Sequence, residues 1–186
     1  PTSTETRCLR FCDPVDSIRN RLFAAAPLSG MSTIRIVRGV GDAPTKMASY
    51  DAALADTNVH NYNLVPVSSV IPADATVADV GTAPDLGPAG NRLTVVEARA
   101  TTGGVGTVSA GLGWTVGPGP GLFYEASGED PGAVRRSVEV GLAAGRDLRE
   151  WTFDDEHVTV TTAEADGEGY TTAVALAAYG ESEAIF

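Results

Sequence analysis

Lysine is almost missing from this 186-residue chain: Lys46 stands alone beside twelve arginines. The 13 cationic residues face 24 carboxylates, for a formal net charge of -11. Phosphate backbones are held by basic surfaces, so this balance argues against a nucleic-acid partner, and against anionic lipid by the same electrostatics. Cysteine is limited to Cys8 and Cys12, which leaves everything after residue 30 without a disulfide, a thiolate nucleophile or a thiolate zinc site. His60 and His157 are the only histidines, too few for a histidine-rich metal centre, and no metal is assigned. No apolar run approaches the ~20 residues that cross a bilayer. The G-x-S-x-G elbow of many hydrolases is absent, and GVG at 39–41 and at 104–106 lacks the spacing of a dinucleotide fingerprint. No export signal is evident, and with so little cysteine a reducing cytoplasm is expected.

What is present is an ordinary globular composition, with 43% apolar and 20% charged residues. A chain of this length can bury a core as one domain. Its surplus of acids fits a solvated surface whose self-repulsion is screened by salt. The same field would draw in a cationic small molecule. The first 30 residues differ from the rest. They hold both cysteines, four arginines and three acids, so 9 bases and 21 acids remain from Met31 onward. Charges interrupt their apolar stretch, unlike a signal peptide. Residues 1–30 are therefore expected to be an upstream extension or a mobile tail, and residues 31–186 a single domain.

Residues 33–38 alternate as a strand that runs into a glycine turn, and residues 47–56 have helical spacing. Residues 62–71 (YNLVPVSSVI) are rich in β-branched residues and predict a strand broken at Pro66 and the serine pair. Pro, Gly, Ala and Asp recur over 73–90, which predicts a loop. Strands are expected at 92–100, 105–116 and 122–126, the second with close-packing glycines. An amphipathic helix follows at 131–146, and 157–162 and 170–179 form a hairpin pair. Mainly β, with two substantial helices and no βαβ rhythm, the chain is expected to be an α+β layered fold.

Three segments carry the chemistry: SYDAALADTNVHNYNLVPVSSVIP at 49–72, GTVSAGLGW at 106–114 and GLFYEASGE at 121–129. A serine pair alone is usually a turn or a strand edge. Set between two apolar strand halves it becomes a candidate scission site, because the Ser69 hydroxyl can attack the Ser68 carbonyl. Together the segments resemble the pyruvoyl-dependent arginine decarboxylase family, with matching spacing from about Val37 to Tyr179. The departures are Lys46 and Met47 in the glycine-rich stretch before the helix, and Pro66 where a basic residue can occur.

The resemblance implies a four-layer αββα sandwich of mainly antiparallel sheets, and a homotrimer in which one subunit's pyruvoyl group lies near residues of its neighbour. It implies self-cleavage between Ser68 and Ser69, with Ser69 converted to a covalent pyruvoyl cofactor that serves as electron sink. It implies decarboxylation of L-arginine to agmatine and CO2. Glu125 takes the position of the general acid that protonates the substrate α-carbon, in an apolar strand context expected to desolvate it. Asn63 takes the position that assists cleavage, and Asp51 the position that holds the guanidinium as a planar carboxylate fork. Leu54, one turn on, would line the same pocket. Each has a plainer reading: Glu125 as a solvent-facing strand residue, Asn63 as a strand-end cap, Asp51 as one more surface acid, Leu54 as core. Two other functions fit the residues: an uncleaved, non-catalytic relative binding a cationic small molecule, and a serine hydrolase pairing Ser68 or Ser69 with His60.

Overall fold

A computed structural model describes residues 32–186. The expectation of an upstream extension or mobile tail at residues 1–30, and the two cysteines, lie outside these residues. The order of elements is β1 (Thr33–Ala43), α1 (Lys46–Asp56), β2 (Asn63–Pro66), β3 (Val70–Ile71), β4 (Thr76–Gly81), β5 (Arg92–Thr102), β6 (Val105–Val116), β7 (Gly121–Gly128), α2 (Pro131–Asp147), β8 (Asp155–Asp166) and β9 (Tyr170–Tyr179). Among the described residues no helix is long and apolar enough to cross a membrane.

The strands form two sheets, ordered β2-β5-β9-β1-β4 and β3-β7-β6-β8. All pairs are antiparallel except β1 with β4 and β2 with β5. Strand alternation sends one set of side chains from each sheet into a shared core, where Ile34, Ile36, Val96, Ala98, Ala175 and Ala177 meet Val108, Ala110, Leu112, Trp114 and Phe123. The opposite face of the first sheet is covered by α1, whose Ala53 and Leu54 pack with Val37, Leu93, Val95 and Leu176. On the outer face of the second sheet α2 buries Val138 and Leu142 against Leu122. The result is the α+β sandwich of four layers.

The helices start where their chemistry dictates. The Thr45 hydroxyl accepts from the Ala48 N–H at 3.2 Å to cap α1. Asp130 accepts from Gly132 and Ala133 N–H to cap α2, with Pro131 in its first turn, where the missing N–H costs nothing. Close-packed glycines then set how near the helices lie. A side chain at Gly111 or Gly113 of β6 would run into Val134, Val138 or Leu142 of α2.

Three expectations need correction. Gly39 and Gly41 belong to the body of β1 rather than to a turn, because α1 lies so close that a Cβ at either would meet its backbone. The segment 73–90 contains a strand, β4, which pairs parallel with β1 at a sheet edge; Val77 packs against the core while the neighbouring Pro, Gly and Asp mask the signal. Strands β8 and β9 are not a hairpin. β8 pairs with β6 in the second sheet, whereas β9 lies between β1 and β5 in the first. The link crosses between sheets through Gly167 and Gly169, both at positive φ. The separation follows from burial: Thr171 to Ala178 are buried on both faces, which only a central strand provides, whereas β8 keeps a polar face.

Candidate active site

The serine pair falls where the chain leaves one sheet for the other. β2 is a short edge strand whose Asn63–Pro66 run beside Arg92–Val95 of the first sheet. An edge tolerates Pro66, which has no N–H to donate. The pairing extends one residue further, with Val67 N–H donating to Val95 O at 3.0 Å. Two residues later the chain has joined the second sheet: Phe123 N–H donates to Ser69 O at 2.8 Å, and Val70 pairs with Leu122. Between these anchors Ser68 is exposed and Ser69 half-buried. Val70 N–H donates to Ser68 O at 2.9 Å, which closes a three-residue turn with Ser69 at its centre.

Glu125 stands on β7 opposite this turn. The Ser69 hydroxyl donates to Glu125 Oε2 at 3.0 Å. A carboxylate acceptor at that distance makes the bond charge-assisted and can take the hydroxyl proton. The carboxylate is exposed in the protomer, contrary to the apolar burial expected from its flanking residues. β3 is only two residues long and pairs with Gly121 and Leu122, and Phe123 N–H is taken by Ser69 O, so among the described residues β7 is an open edge from Tyr124 onward.

The pair opens onto a cavity of about 610 Å³ between β7 and α2, within the ~300–1,000 Å³ of small-molecule pockets. Its walls include Val70, Leu122, Phe123, Leu142 and Leu148, with Tyr124 and Arg149 at the polar side. Two helix glycines shape it: the Tyr124 ring lies directly on Gly141, and Leu122 approaches Gly145. Arg149 is held in place by donating to Gly145 O at 2.7 Å and lying over the Trp151 ring.

Of the residues expected at the site, the protomer brings together Ser68, Ser69 and Glu125. Asn63, Asp51 and Leu54 are absent from the cavity lining. The Asn63 amide donates to Gly90 O at 2.6 Å. Asp51 is exposed on α1, and Leu54 is buried in the core beneath that helix. Sequence reasoning missed Tyr179, which ends β9. Its hydroxyl crosses to the other sheet and donates to Val70 O at 3.0 Å, and its ring meets Phe123 edge-on. Burial, and then the nearby Glu125 charge, push its phenol up to about 12. The one signal for it was a phenol closing an otherwise apolar run.

Fold and site together define a class: a four-layer α+β sandwich with a carboxylate-partnered serine at the crossing between its sheets. The profile of the pyruvoyl-dependent arginine decarboxylase family matches residues 33–184. The pyruvoyl-dependent arginine decarboxylase of Halobacterium salinarum is 58% identical over 158 residues, covering 84% of this chain and 99% of that protein. The protein of the same description from Methanopyrus kandleri is 30% identical over 153 residues, covering 78% and 95%. The one from Pyrococcus horikoshii is 36% identical over 125 residues, covering 62% and 78%. The chain belongs to the pyruvoyl-dependent arginine decarboxylase family.

Proposed function

We propose that this protein decarboxylates L-arginine to agmatine and CO2 with a pyruvoyl group that it makes from its own Ser69. The observation that carries the reading is the 3.0 Å contact of the Ser69 hydroxyl with Glu125, in a turn that presents the Ser68 carbonyl. Glu125 takes the hydroxyl proton as Ser69 Oγ adds to the Ser68 carbonyl carbon. The C–N bond to Ser69 breaks, its nitrogen gains the proton, and an ester joins Ser68 to Ser69 Oγ. Loss of the Ser69 Cα proton then breaks the Cβ–Oγ bond. Ser68 departs as a carboxylate and residue 69 becomes dehydroalanine, which water converts to the ketone with release of ammonia.

The surroundings fit the group so formed. Residue 69 is anchored through its carbonyl to Phe123 and faces an open, mostly apolar cavity, so a ketone there would have room and a fixed attachment. Once formed, the pyruvoyl group supplies an electron sink for the substrate carbon that loses CO2. In this reading Glu125 returns a proton to that carbon, a role that contributes roughly 10²–10⁴-fold in comparable sites. The acidic body attracts the cationic substrate.

Asp51 grips the guanidinium through two parallel N–H···O bonds. It lies outside the protomer's cavity, so in this reading it arrives from a neighbouring subunit of a homotrimer, with Leu54 fixing the helix that carries it. Asn63 positions β2 through Gly90 and so sets where the chain turns at Ser68. The enzyme works in a reducing cytoplasm.

A denaturing intact-mass spectrum, with and without borohydride in the presence of arginine, tests the reading. Two fragments are expected, the second starting at a blocked residue 69 that gains a reducible substrate adduct. A single uncut chain with no adduct from natively purified protein would refute it. Ser69→Ala should abolish cleavage and activity together.

A further inference from the structure

The turn at the serine pair leaves one question of chemistry open. An acyl shift builds negative charge on Ser68 O, and a donor must already point at that oxygen. The protomer holds one: Val70 N–H lies 2.9 Å from Ser68 O. An amide two residues downstream keeps that aim only if its own peptide planes are fixed. Ser69 O is held by Phe123 N–H at 2.8 Å on the second sheet, and Val70 O by the Tyr179 hydroxyl at 3.0 Å from the first. Two points of attachment, one on each sheet, therefore fix the peptides on either side of Val70.

We propose that Tyr179 is a positioning residue for self-cleavage: by holding Val70 O across the two sheets, it aims Val70 N–H at the scissile Ser68 carbonyl. The inference rests on the reading that the chain cuts itself at Ser69. Tyr179 does not touch the reacting atoms; it acts through the Val70 peptide. The Tyr179 ring is packed against Phe123, which fixes the direction of its hydroxyl. Burial beside Glu125 keeps the phenol protonated, and so a donor, throughout the neutral range.

The test uses the full chain made by cell-free synthesis, with the cut fraction followed over time by denaturing mass spectrometry. Tyr179→Phe keeps the ring and removes the hydroxyl. Its cleavage should slow by about tenfold, as expected for one neutral hydrogen bond, with a fall in melting temperature of no more than about 2–6 °C. A backbone ester at Val70, which removes that N–H alone, should slow cleavage by about 10²–10³-fold, as for loss of an oxyanion donor. Hydroxylamine, which cuts the ester formed by the acyl shift, should not restore the wild-type rate in Tyr179→Phe, because the slow step precedes that ester; it is left out with the Val70 variant, whose backbone ester it would cut. A merely structural role for Tyr179 would lower the melting temperature and leave the rate alone. Cleavage of Tyr179→Phe at the wild-type rate would overturn the proposal. So would normal cleavage of the Val70 ester, which decides the matter by itself should Tyr179→Phe fold poorly. A wild-type chain that never cuts would instead remove the underlying reading.

Discussion

Gly41 offers a sharp test of how β1 and α1 are held together. It sits buried on the face of β1 that carries α1, and a Cβ there would stand 2.7 Å from both the carbonyl carbon and the Cβ of Ala52, and closer still to the Ala53 amide nitrogen. These are parts of the helix itself, so no rotamer change can relieve the overlap. In Gly41→Ala the helix must retreat by roughly 1 Å, an overpacking that costs about 1–3 kcal/mol. Lower chain entropy in the unfolded state returns about 0.5–1 kcal/mol. The net loss of about 1–2 kcal/mol corresponds to a fall in melting temperature of about 2–8 °C for a domain of this size. Function should suffer as well, because α1 carries Asp51 and misplacement by 1 Å can cost up to ~10²-fold. Thermal melting by circular dichroism and the KM for arginine measure the two effects. Gly104→Ala is the control, since its Cβ would meet nothing within 4 Å. It should melt at or slightly above the wild-type temperature. If Gly41→Ala melts as high as Gly104→Ala, the close approach of helix and strand is not what the packing argument requires.

Asp51→Asn should raise KM for arginine by about tenfold or more while leaving self-cleavage untouched, since loss of the fork weakens a charge-assisted pair rather than the Ser69 chemistry; cleavage by mass and steady-state kinetics separate the two. Alkali should destabilise the fold between pH 10 and about 12. Tyr179 ionises near 10 when unfolded but near 12 when folded, so the unfolded state sheds its proton first and stability falls as pH rises through that window. Tyr50 adds to the same trend, raised by burial and by Glu97. Denaturant titrations across that range should show a shallower loss in Tyr179→Phe. Lowering salt from 0.15 M to 0.01 M lengthens the screening distance from about 8 Å to about 30 Å. With a net charge of -11 the melting temperature should therefore fall at low salt, and a rise would show that self-repulsion is not the governing charge effect.

How much was legible in the sequence varies by kind of information. Local structure was readable: the amphipathic spacing of 131–146 announces α2, and the glycine-containing segment 105–116 announces β6. Partnership was not. Period-two alternation says that a segment is a strand and which faces are apolar, but not which strand lies beside it. Hence 157–162 and 170–179, separated by a glycine-rich link, read as a hairpin although they enter different sheets. β4 was hidden because proline and glycine around it outweigh a six-residue signal. At the site, Ser69 and Glu125 lie 56 residues apart, and only the family resemblance joined them before the structure did. Tyr179 carried no motif at all; its role depends on two sheets meeting, which is a long-range property.

The position of the serine pair has a consequence for the fold if the chain cuts itself as proposed. A cut inside a strand would release ladder bonds on both sides. Here Val67 makes the last backbone bond to the first sheet and Ser69 the first to the second, so the Ser68–Ser69 bond carries no sheet of its own. Cutting it leaves β2 on β5 and β3 on β7. The upstream piece stays locked in place because its β1 lies between β4 and β9 of the downstream piece, paired with β9 from Ile34 to Ala43. In the proposed reaction the same geometry helps: anchors on two separate sheets hold both sides of the bond and keep the Ser68 carbonyl in its turn. A single feature, the crossing between sheets, thus accounts for the exposure of the bond and would let the sandwich persist were the bond cut.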